Sequence, residues 1–263
     1  MRSMTQVRVG AVSTILLALV AGATLFGAAA ASAARAGVHP PRVAGSTNSA
    51  SSNWSGYDVT GGPFTSVSAS WTQPAVTCAA GETSYSSFWV GLDGDTSNTV
   101  EQIGTDSDCL NGVPMYFAWY ELYPKSSAQL VSIVAGDAIS ASVTTDGSGN
   151  FALTIGVNGT PINLQGKVSR ATLSSAEVIA EAPASNHGAR GALSLANFDT
   201  VSFTGATVDG TSLGLQSPDA ISLVQGSTTL AQPSGISNSG DFSIDRNATP
   251  GQPTGHGHGH NRP

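Results

Sequence analysis

The sequence predicts an all-β protein, either an antiparallel sandwich or a closed barrel, on the strength of three observations. Short runs of β-branched and aromatic residues recur along the chain, turn residues separate them, and no long stretch keeps the 3.6-residue period of a helix. The dipeptide Asn158-Gly159, placed between two apolar runs, is a strong hairpin signal. Many short strands joined by frequent turns are typical of sandwiches and barrels.

The predicted strands follow from runs in which apolar or β-branched residues alternate or cluster. They cover residues 57–59, 65–72, 86–92, 100–104, 115–123, 139–144, 151–157, 160–168, 176–180, 200–206, 222–224 and 241–245.

The first 33 residues have the features of a secretory signal peptide. Basic Arg2 and Arg8 precede an apolar run over 11–25, and small residues then end in Ala31-Ser32-Ala33. The apolar run is too short for a stable membrane span. We therefore expect a secreted, extracellular protein that begins near Ala34 and has no membrane association once the signal is removed.

The rest of the chain divides into three parts. Residues 34–52 are rich in Ala, Pro, Ser and Gly and predict a flexible leader or short propeptide, which contains His39. Residues 53–246 form the predicted sandwich domain. Residues 247–263 are a Gly/Pro/His-rich tail that we expect to be disordered.

Charged residues are scarce, at 10% of the chain against roughly 25% in a typical soluble domain. The formal net charge of −7 becomes −9 once Arg2 and Arg8 are removed with the signal. In acid, where carboxylates are protonated, a chain with few basic groups accumulates little self-repulsion, so the composition suits an acidic medium. The absence of a basic stripe argues against nucleic acid as a partner.

The two cysteines, Cys78 and Cys109, predict a disulfide in an exported chain. The bond would close a loop that contains Trp89 and Gln102, with a stabilisation of roughly 3–4 kcal/mol. Neither C-x-x-C nor H-E-x-x-H occurs in the sequence, so we expect no metal and no cofactor. Nothing in the sequence suggests an obligate partner, and a monomer is expected.

Strand alternation predicts one sheet face that carries both aromatic and acidic side chains, as a cleft for an extended polymer would. The residues that share this face are Trp89 and Asp93, then Gln102, then Phe117, Trp119, Glu121 and Tyr123, and finally Glu177, Ile179 and Glu181.

Four motifs together resemble the glutamic peptidase (eqolisin) family. They are Phe88-Trp89-Val90-Gly91-Leu92-Asp93-Gly94, Val100-Glu101-Gln102-Ile103-Gly104-Thr105-Asp106, Trp119-Tyr120-Glu121-Leu122-Tyr123-Pro124 and Ala176-Glu177-Val178-Ile179-Ala180-Glu181. The resemblance implies a lectin-like, jelly-roll sandwich of two antiparallel sheets with a concave active-site face. It also implies a secreted acid endopeptidase that acts on proteins and peptides and is insensitive to pepstatin.

The resemblance also implies roles for individual residues. The catalytic dyad falls on Gln102 and Glu181, with Glu177 as a rival for the glutamate. The positions that line or support the substrate cleft are Trp89, Asp93, Asp106, Trp119, Glu121 and Tyr123. The chain departs from the family pattern at Phe117, where an acid is usual, and at Ala182-Pro183 after the second glutamate.

The residue types support this chemistry. An ionised glutamate can act as a general base on water and return the proton to the leaving amine. A glutamine can donate its NH₂ to the developing oxyanion while its carbonyl accepts from the water.

Two alternatives remain open from the sequence. Glu121 and Glu181 beside aromatic residues also fit a secreted glycan hydrolase. A lectin-like binding module explains the aromatic residues but gives Gln102 no role. Two Asp-Thr/Ser-Gly motifs and a G-x-S-x-G elbow are both missing, which argues against aspartic and serine proteases.

Overall fold

The computed structural model describes residues 38–42, 50–95, 97–184 and 191–246. This part of the chain contains sixteen β-strands and one short 3₁₀ turn, Leu213–Leu215. The strands are β1 Ala50–Ser51, β2 Trp54–Thr60, β3 Ser66–Thr72, β4 Ser87–Leu92, β5 Val100–Leu110, β6 Val113–Tyr123, β7 Ala128–Ser132, β8 Ala138–Thr145, β9 Asn150–Val157, β10 Thr160–Lys167, β11 Ser175–Glu181, β12 Thr200–Val208, β13 Thr211–Ser212, β14 Asp219–Gln225, β15 Thr228–Pro233 and β16 Phe242–Arg246. The predicted all-β class is confirmed. A search of the described residues for a helix of the length and apolar character needed to cross a membrane finds none. The predicted signal peptide and C-terminal tail lie outside the described residues.

The strands form two antiparallel sheets. The front sheet has the order β7-β6-β5-β4-β11-β2-β14, and the back sheet has the order β10-β9-β8-β3-β12-β16-β15-β14. Strand β14 belongs to both sheets, because its first half pairs with β2 and its second half pairs with β15. The short strand β1 adds to β14 in parallel.

The main hydrophobic core lies between the two sheets, which confirms the sandwich. Trp71 of β3 donates its Nε1–H to Thr105 Oγ1 of β5 at 3.1 Å, so one hydrogen bond joins the two layers. The back-sheet strand β8 alternates between buried and exposed residues, as a sheet with one solvent face should. Strands β4 and β11 of the front sheet are instead buried on both faces. The outer face of the front sheet is therefore covered as well.

Strand β5 runs to Leu110, beyond the predicted end at Gly104. Its polar second half is buried because neighbouring strands and loops satisfy its polar groups. Gln73 donates Nε2–H to Ser107 Oγ at 2.7 Å, and Ser107 Oγ donates to the carbonyl of Pro74 at 2.9 Å. The disulfide between Cys78 and Cys109 is confirmed at the end of this strand, with the two Cα atoms 5.6 Å apart.

Two parts of the predicted leader pack against the domain. Ala50–Ser51 form β1, and residues 38–42 lie on the front sheet, where the backbone N–H of Val38 donates to the carbonyl of Ala184 at 3.0 Å. Both parts belong to the segment over residues 34–52 that is predicted to be a flexible leader or short propeptide.

Candidate active site

The register of the front sheet sets functional side chains in three rows across its outer face. Because directly paired residues point to the same side, each row crosses five strands in the order β2, β11, β4, β5 and β6. The first row is Asp58, Glu177, Gly91, Gln102 and Glu121. The second row is Gly56, Ile179, Trp89, Gly104 and Trp119. The third row is Trp54, Glu181, Ser87, Asp106 and Phe117.

Gln102 is fully buried and is held by its cross-strand neighbour. Its Nε2 donates to Glu121 Oε2 at 2.9 Å and to the backbone carbonyl of His39 at 2.8 Å. The amide hydrogens of Gln102 are thus directed at a carboxyl group and at a peptide carbonyl.

Glu181 is also fully buried, with polar groups around both of its oxygens. Trp89 donates its Nε1–H to Glu181 Oε2 at 2.9 Å, and Asn53 donates Nδ2–H to Oε1 at 3.4 Å. His39 Nδ1 lies 3.4 Å from Oε2. Burial raises the pKa of Glu181 well above its usual range, whereas the hydrogen bond from Trp89 lowers it.

His39 links the two predicted members of the dyad. Its carbonyl accepts from Gln102, its ring nitrogen faces Glu181, and its backbone N–H donates to Glu121 Oε2 at 3.1 Å. Its imidazole stacks on the indole of Trp119, with ring centroids 3.7 Å apart and an interplanar angle of 4°. A single residue, His39, therefore contacts both Gln102 and Glu181.

The sequence predicts His39 only as part of the leader and predicts no role for Asn53. The sequence Val38-His39-Pro40-Pro41 is more apolar and stiffer than a typical linker. This is the one local signal that His39 belongs to an ordered segment. For Asn53 the chain gives no comparable local signal.

Asp106 lies in the same row as Glu181 and is almost fully buried. Burial raises the pKa of Asp106 to about 6, while the nearby His39 opposes the shift. Desolvation also lowers the pKa of His39, and the charges of Asp106 and Glu121 act in the opposite direction. The site is thus a dry group of carboxyls around one imidazole.

Asp93 and Tyr123 do not reach this group of side chains by any contact that the structure shows. Asp93 follows the end of β4 in a left-handed conformation, and its carboxylate accepts the backbone N–H groups of Thr172, Leu173 and Ser174 at 2.8–2.9 Å. Its role in this geometry is to hold the 172–174 loop. Tyr123 lies at the end of β6, half-exposed, and is paired with Val100.

Glu177, the rival for the catalytic glutamate, shares a row with Gln102, but Gly91 stands between them and supplies no side chain. Its neighbour on the other side is Asp58. Burial raises the pKa of Glu177 well above its usual range and that of Asp58 to about 7. No hydrogen bond links Glu177 to Gln102 or to His39 among the described residues.

A search of the described ranges for three or more His, Cys, Asp or Glu side chains arranged to hold a metal ion finds none. A cavity of about 660 Å³ lies on the back sheet, between residues such as Ser70, Ser140 and Thr204, and none of its lining residues belongs to the three rows. On the outer face of the front sheet, His39 contacts Gln102, Glu121 and Glu181.

A family comparison identifies the chain. The profile of the Peptidase A4 family matches residues 52–246. The chain belongs to the Peptidase A4 (eqolisin) family. It is 39% identical to scytalidopepsin B of Scytalidium lignicola over 107 residues, which span 39% of each protein. It is 30% identical to aspergillopepsin-2 of Aspergillus niger over 222 residues, 72% of this chain and 77% of that one.

Two solved structures of this eqolisin family share the fold. Scytalido-glutamic peptidase, solved with a peptide-based transition-state analogue, matches with a TM-score of 0.62 at 28% identity over 74% of this chain and 98% of that one. SCP-B, solved with the tripeptide Ala-Ile-His, matches with a TM-score of 0.61 at 27% identity and the same coverage. The chain is therefore a glutamic endopeptidase, and the predicted family, fold and enzyme class are confirmed.

Proposed function

We propose that this protein is a secreted acid endopeptidase in which Glu181 and Gln102 hydrolyse peptide bonds by activating a water molecule. Family membership supplies the reaction class. The predicted signal peptide, together with similarity to fungal peptidases, supports secretion into an acidic medium. The assignment of the dyad rests on the geometry of the cleft.

One observation supports the assignment of Gln102 and Glu181 as the dyad. A peptide group of this chain already lies in the cleft, with its carbonyl oxygen 2.8 Å from Gln102 Nε2 and the side chain of the same residue 3.4 Å from Glu181 Oε2. A substrate carbonyl bound like that of His39 would have an amide donor at its oxygen and a carboxyl group nearby. These are the positions that an oxyanion donor and a general base require.

The proposed reaction follows from these positions. Ionised Glu181 takes a proton from water, the water oxygen bonds to the carbonyl carbon, and the developing oxyanion accepts a hydrogen bond from Gln102. Glu181 then returns the proton to the leaving nitrogen as the carbon–nitrogen bond breaks. No cofactor takes part, because side chains and solvent supply every group in these steps.

Trp89 and Asn53 support the base. Both donate hydrogen bonds to the Glu181 carboxylate, which favours its ionised form and fixes the direction of its oxygens. Glu121 supports the donor, because its Oε2 accepts from Gln102 and so orients the amide. Trp119 offers a flat apolar surface for a substrate side chain, as it does for the His39 ring.

A peptide is the substrate class that the cleft fits. The SCP-B structure contains Ala-Ile-His, and residues 37–39 of this chain are Gly-Val-His, with the same order of a small residue, a β-branched residue and histidine. The residue in the cleft of this protein is that histidine. Proteins and peptides are therefore the proposed substrates.

Hydrolysis of acid-denatured casein from about pH 2 to pH 7 tests this function. The exported chain is assayed with and without His39→Ala, with Gln102→Ala in each background, and in the presence of pepstatin. We expect cleavage in acid that resists pepstatin and is lost with Gln102→Ala. Failure to cleave casein, together with release of sugars from polysaccharides, would replace the peptidase with a glycan hydrolase.

A further inference from the structure

The chain bends between β1 and β2, and the side chain of Ser51 holds this corner. Ser51 Oγ accepts the backbone N–H of Asn53 at 3.3 Å and that of Trp54 at 3.1 Å. A serine hydroxyl that binds backbone groups just ahead of it in the chain is a common way to fix a turn. Ser51 is almost fully buried, so water does not compete for these bonds.

The backbone of the same corner is attached to strands of the front sheet. Gln225, at the end of β14, donates its Nε2–H to the carbonyl of Ser52 at 3.3 Å. The backbone N–H of Ala182 donates to the carbonyl of Asn53 at 2.8 Å, which continues the pairing of β11 with β2 by one residue. Asn53 is therefore fixed directly beside Glu181, the last residue of β11.

The hydroxyl of Ser51 determines which end of the Asn53 amide faces Glu181. A serine hydroxyl has one hydrogen to donate and two lone pairs that accept. The two backbone N–H groups occupy the lone pairs, so the hydrogen is directed at Asn53 Oδ1, 2.9 Å away. With its oxygen held by Ser51, the Asn53 amide presents its Nδ2–H to Glu181 Oε1 at 3.4 Å.

The reverse orientation of the Asn53 amide is unfavourable at both of its ends. Ser51 Oγ would then face three N–H donors with two lone pairs, and the amide oxygen would lie against a carboxylate oxygen of Glu181. Asn53 and Glu181 are both buried, so solvent would not relieve this mismatch. The Ser51 hydroxyl thus selects the orientation in which Asn53 is a donor to Glu181.

The donor matters because a general base must be ionised. Burial raises the pKa of Glu181 well above its usual range, and the hydrogen bonds from Trp89 and Asn53 act against this shift. Trp89 donates to Oε2 and Asn53 donates to Oε1, so each carboxyl oxygen of Glu181 has an uncharged donor. Loss of the Asn53 donor would leave Oε1 with weaker support for its negative charge.

We propose that Ser51 is a positioning residue of this peptidase, whose hydroxyl directs the Asn53 amide at Glu181 and so helps to keep the proposed base ionised. This inference rests on the proposed function and deepens it by naming the side chains that control the ionisation of the same site. Ser51 touches neither the substrate nor the reacting atoms, and it acts only through Asn53.

The titratable groups that face Glu181 from other elements are His39 of the 38–42 segment, Asp106 of β5 and Glu121 of β6. A positive charge on His39 would favour the ionised form of Glu181, and the two acidic groups oppose it when they are ionised. The substitution Ser51→Ala changes none of these side chains. A change in the titration of Glu181 in this variant therefore reports the Asn53 donor.

The pH–rate profiles of the exported chain and of Ser51→Ala on a peptide substrate test the proposal. Without the hydroxyl, the Asn53 amide is free to turn away from Glu181, which raises the pKa of the base. A base with a raised pKa is ionised only at higher pH, so the acid limb of the kcat/KM profile should move to higher pH. We expect kcat/KM at the acid end to fall about two- to tenfold, the effect of one hydrogen bond, with little change at the optimum.

Ser55→Ala is the matched control. Ser55 of β2 is another fully buried serine, and its hydroxyl donates to the carbonyl of Ile221 at 3.3 Å. Its removal should lower the free energy of unfolding without moving the acid limb. In an Asn53→Ala background, Ser51→Ala should cause no further movement, because Ser51 acts through Asn53. An equal movement of the acid limb in Ser55→Ala would overturn the inference.

Asn53→Asp is a second variant, which retains the shape of the side chain and the acceptor for the Ser51 hydroxyl. It replaces the NH₂ group with an oxygen, so Glu181 faces a second carboxyl instead of a donor. We expect the acid limb to move further to higher pH, since a like charge disfavours the ionised base. A wild-type acid limb in folded Asn53→Asp would overturn the inference even if Ser51→Ala does not fold.

NMR titration of the Glu181 carboxyl carbon, assigned by its loss in Glu181→Gln, provides a readout that needs no activity. We expect this carbon to titrate at higher pH in Ser51→Ala than in the wild type, and at the wild-type pH in Ser55→Ala. An unchanged acid limb together with an unchanged NMR titration in Ser51→Ala would overturn the inference. The expected NMR shift in a chain that cleaves no peptide would instead overturn the proposed reaction and retain the control of Glu181 by Ser51.

Discussion

Gln102 Nε2 donates a hydrogen bond of 2.9 Å to Glu121 Oε2, its direct cross-strand neighbour. This bond orients the glutamine amide, because its N–H is held by the acceptor oxygen of Glu121. The same Oε2 accepts the backbone N–H of His39 at 3.1 Å. Glu121 therefore positions both the proposed oxyanion donor and the peptide that it binds.

Substitution of Glu121 tests this positioning role. Glu121→Gln retains an acceptor oxygen at the same place, whereas Glu121→Ala removes it. We expect Glu121→Ala to lower kcat about 10- to 100-fold, as the loss of an orienting partner does elsewhere, and Glu121→Gln to retain most of the activity. Steady-state kinetics on a peptide substrate measure the difference. Equal losses in the two variants would contradict the positioning role, because Glu121→Gln keeps an acceptor oxygen at this place.

Gln102→Ala removes the proposed oxyanion donor itself. We expect kcat to fall by roughly 10²–10³ with little change in KM, since the hydrogen bond strengthens in the transition state. Single-turnover kinetics in acid separate this effect from product release. A rise in KM with unchanged kcat would mean that Gln102 binds the substrate and takes no part in the reaction.

Buried carboxyls predict that the fold is most stable in acid. Burial raises the pKa of Glu101 to about 8 and that of Asp58 to about 7, whereas carboxyls in the unfolded chain titrate near pH 4. A folded pKa above the unfolded value means that the native state binds the proton more tightly. The resulting stability is complete below about pH 4 and is lost as pH rises through 7 to 8.

The variant Glu101→Gln tests this dependence outside the proposed dyad. Its side chain is neutral at every pH, so we expect the loss of unfolding free energy between pH 5 and pH 8 to shrink by about 3–4 kcal/mol. Urea denaturation at the two pH values measures it. Glu82→Gln is the control, because hydrogen bonds from Ser84 and Ala79 lower the pKa of Glu82 and it stays ionised over this range. An equal effect of both substitutions would contradict the assignment.

Gly104 separates the indoles of Trp89 and Trp119 in the second row. A Cβ at this position would overlap the carbonyl of Phe88 and the side chain of Trp89. We expect Gly104→Ala to lower the free energy of unfolding by about 1–3 kcal/mol and to displace the Trp89 hydrogen bond to Glu181. Thermal unfolding and peptidase assays report the two effects. An unchanged free energy of unfolding in Gly104→Ala would show that the sheet can accommodate a Cβ at this position.

Much of this molecule was predictable from local sequence. Alternation predicted the shared face of Trp89, Gln102, Trp119 and Glu181, because the direction of a side chain is fixed within a regular strand. It failed at Asp93, where the chain leaves β4 with φ +63 and the carboxylate turns to the 172–174 loop.

Three further features escaped prediction for physical reasons. Strands β7 and β15 contain few strong β-formers, so their pairing depends on neighbours that are distant in sequence. Strand β1 has only two residues. The place of His39 depends on contacts with Gln102, Glu121 and Glu181, which lie 63, 82 and 142 residues away along the chain, and no local pattern encodes them.

The most direct test of the account compares Glu181→Gln with Glu177→Gln in the exported chain, both with and without His39→Ala. The two glutamates lie on the same strand and face and are both fully buried, so each substitution removes one carboxyl from a similar environment. The measurement is kcat/KM for a peptide substrate in acid with pepstatin present, alongside the unfolding free energy of each variant. The account predicts that Glu181→Gln abolishes hydrolysis and that Glu177→Gln retains most of it. Inactive Glu177→Gln beside active Glu181→Gln, with both proteins folded, would contradict it.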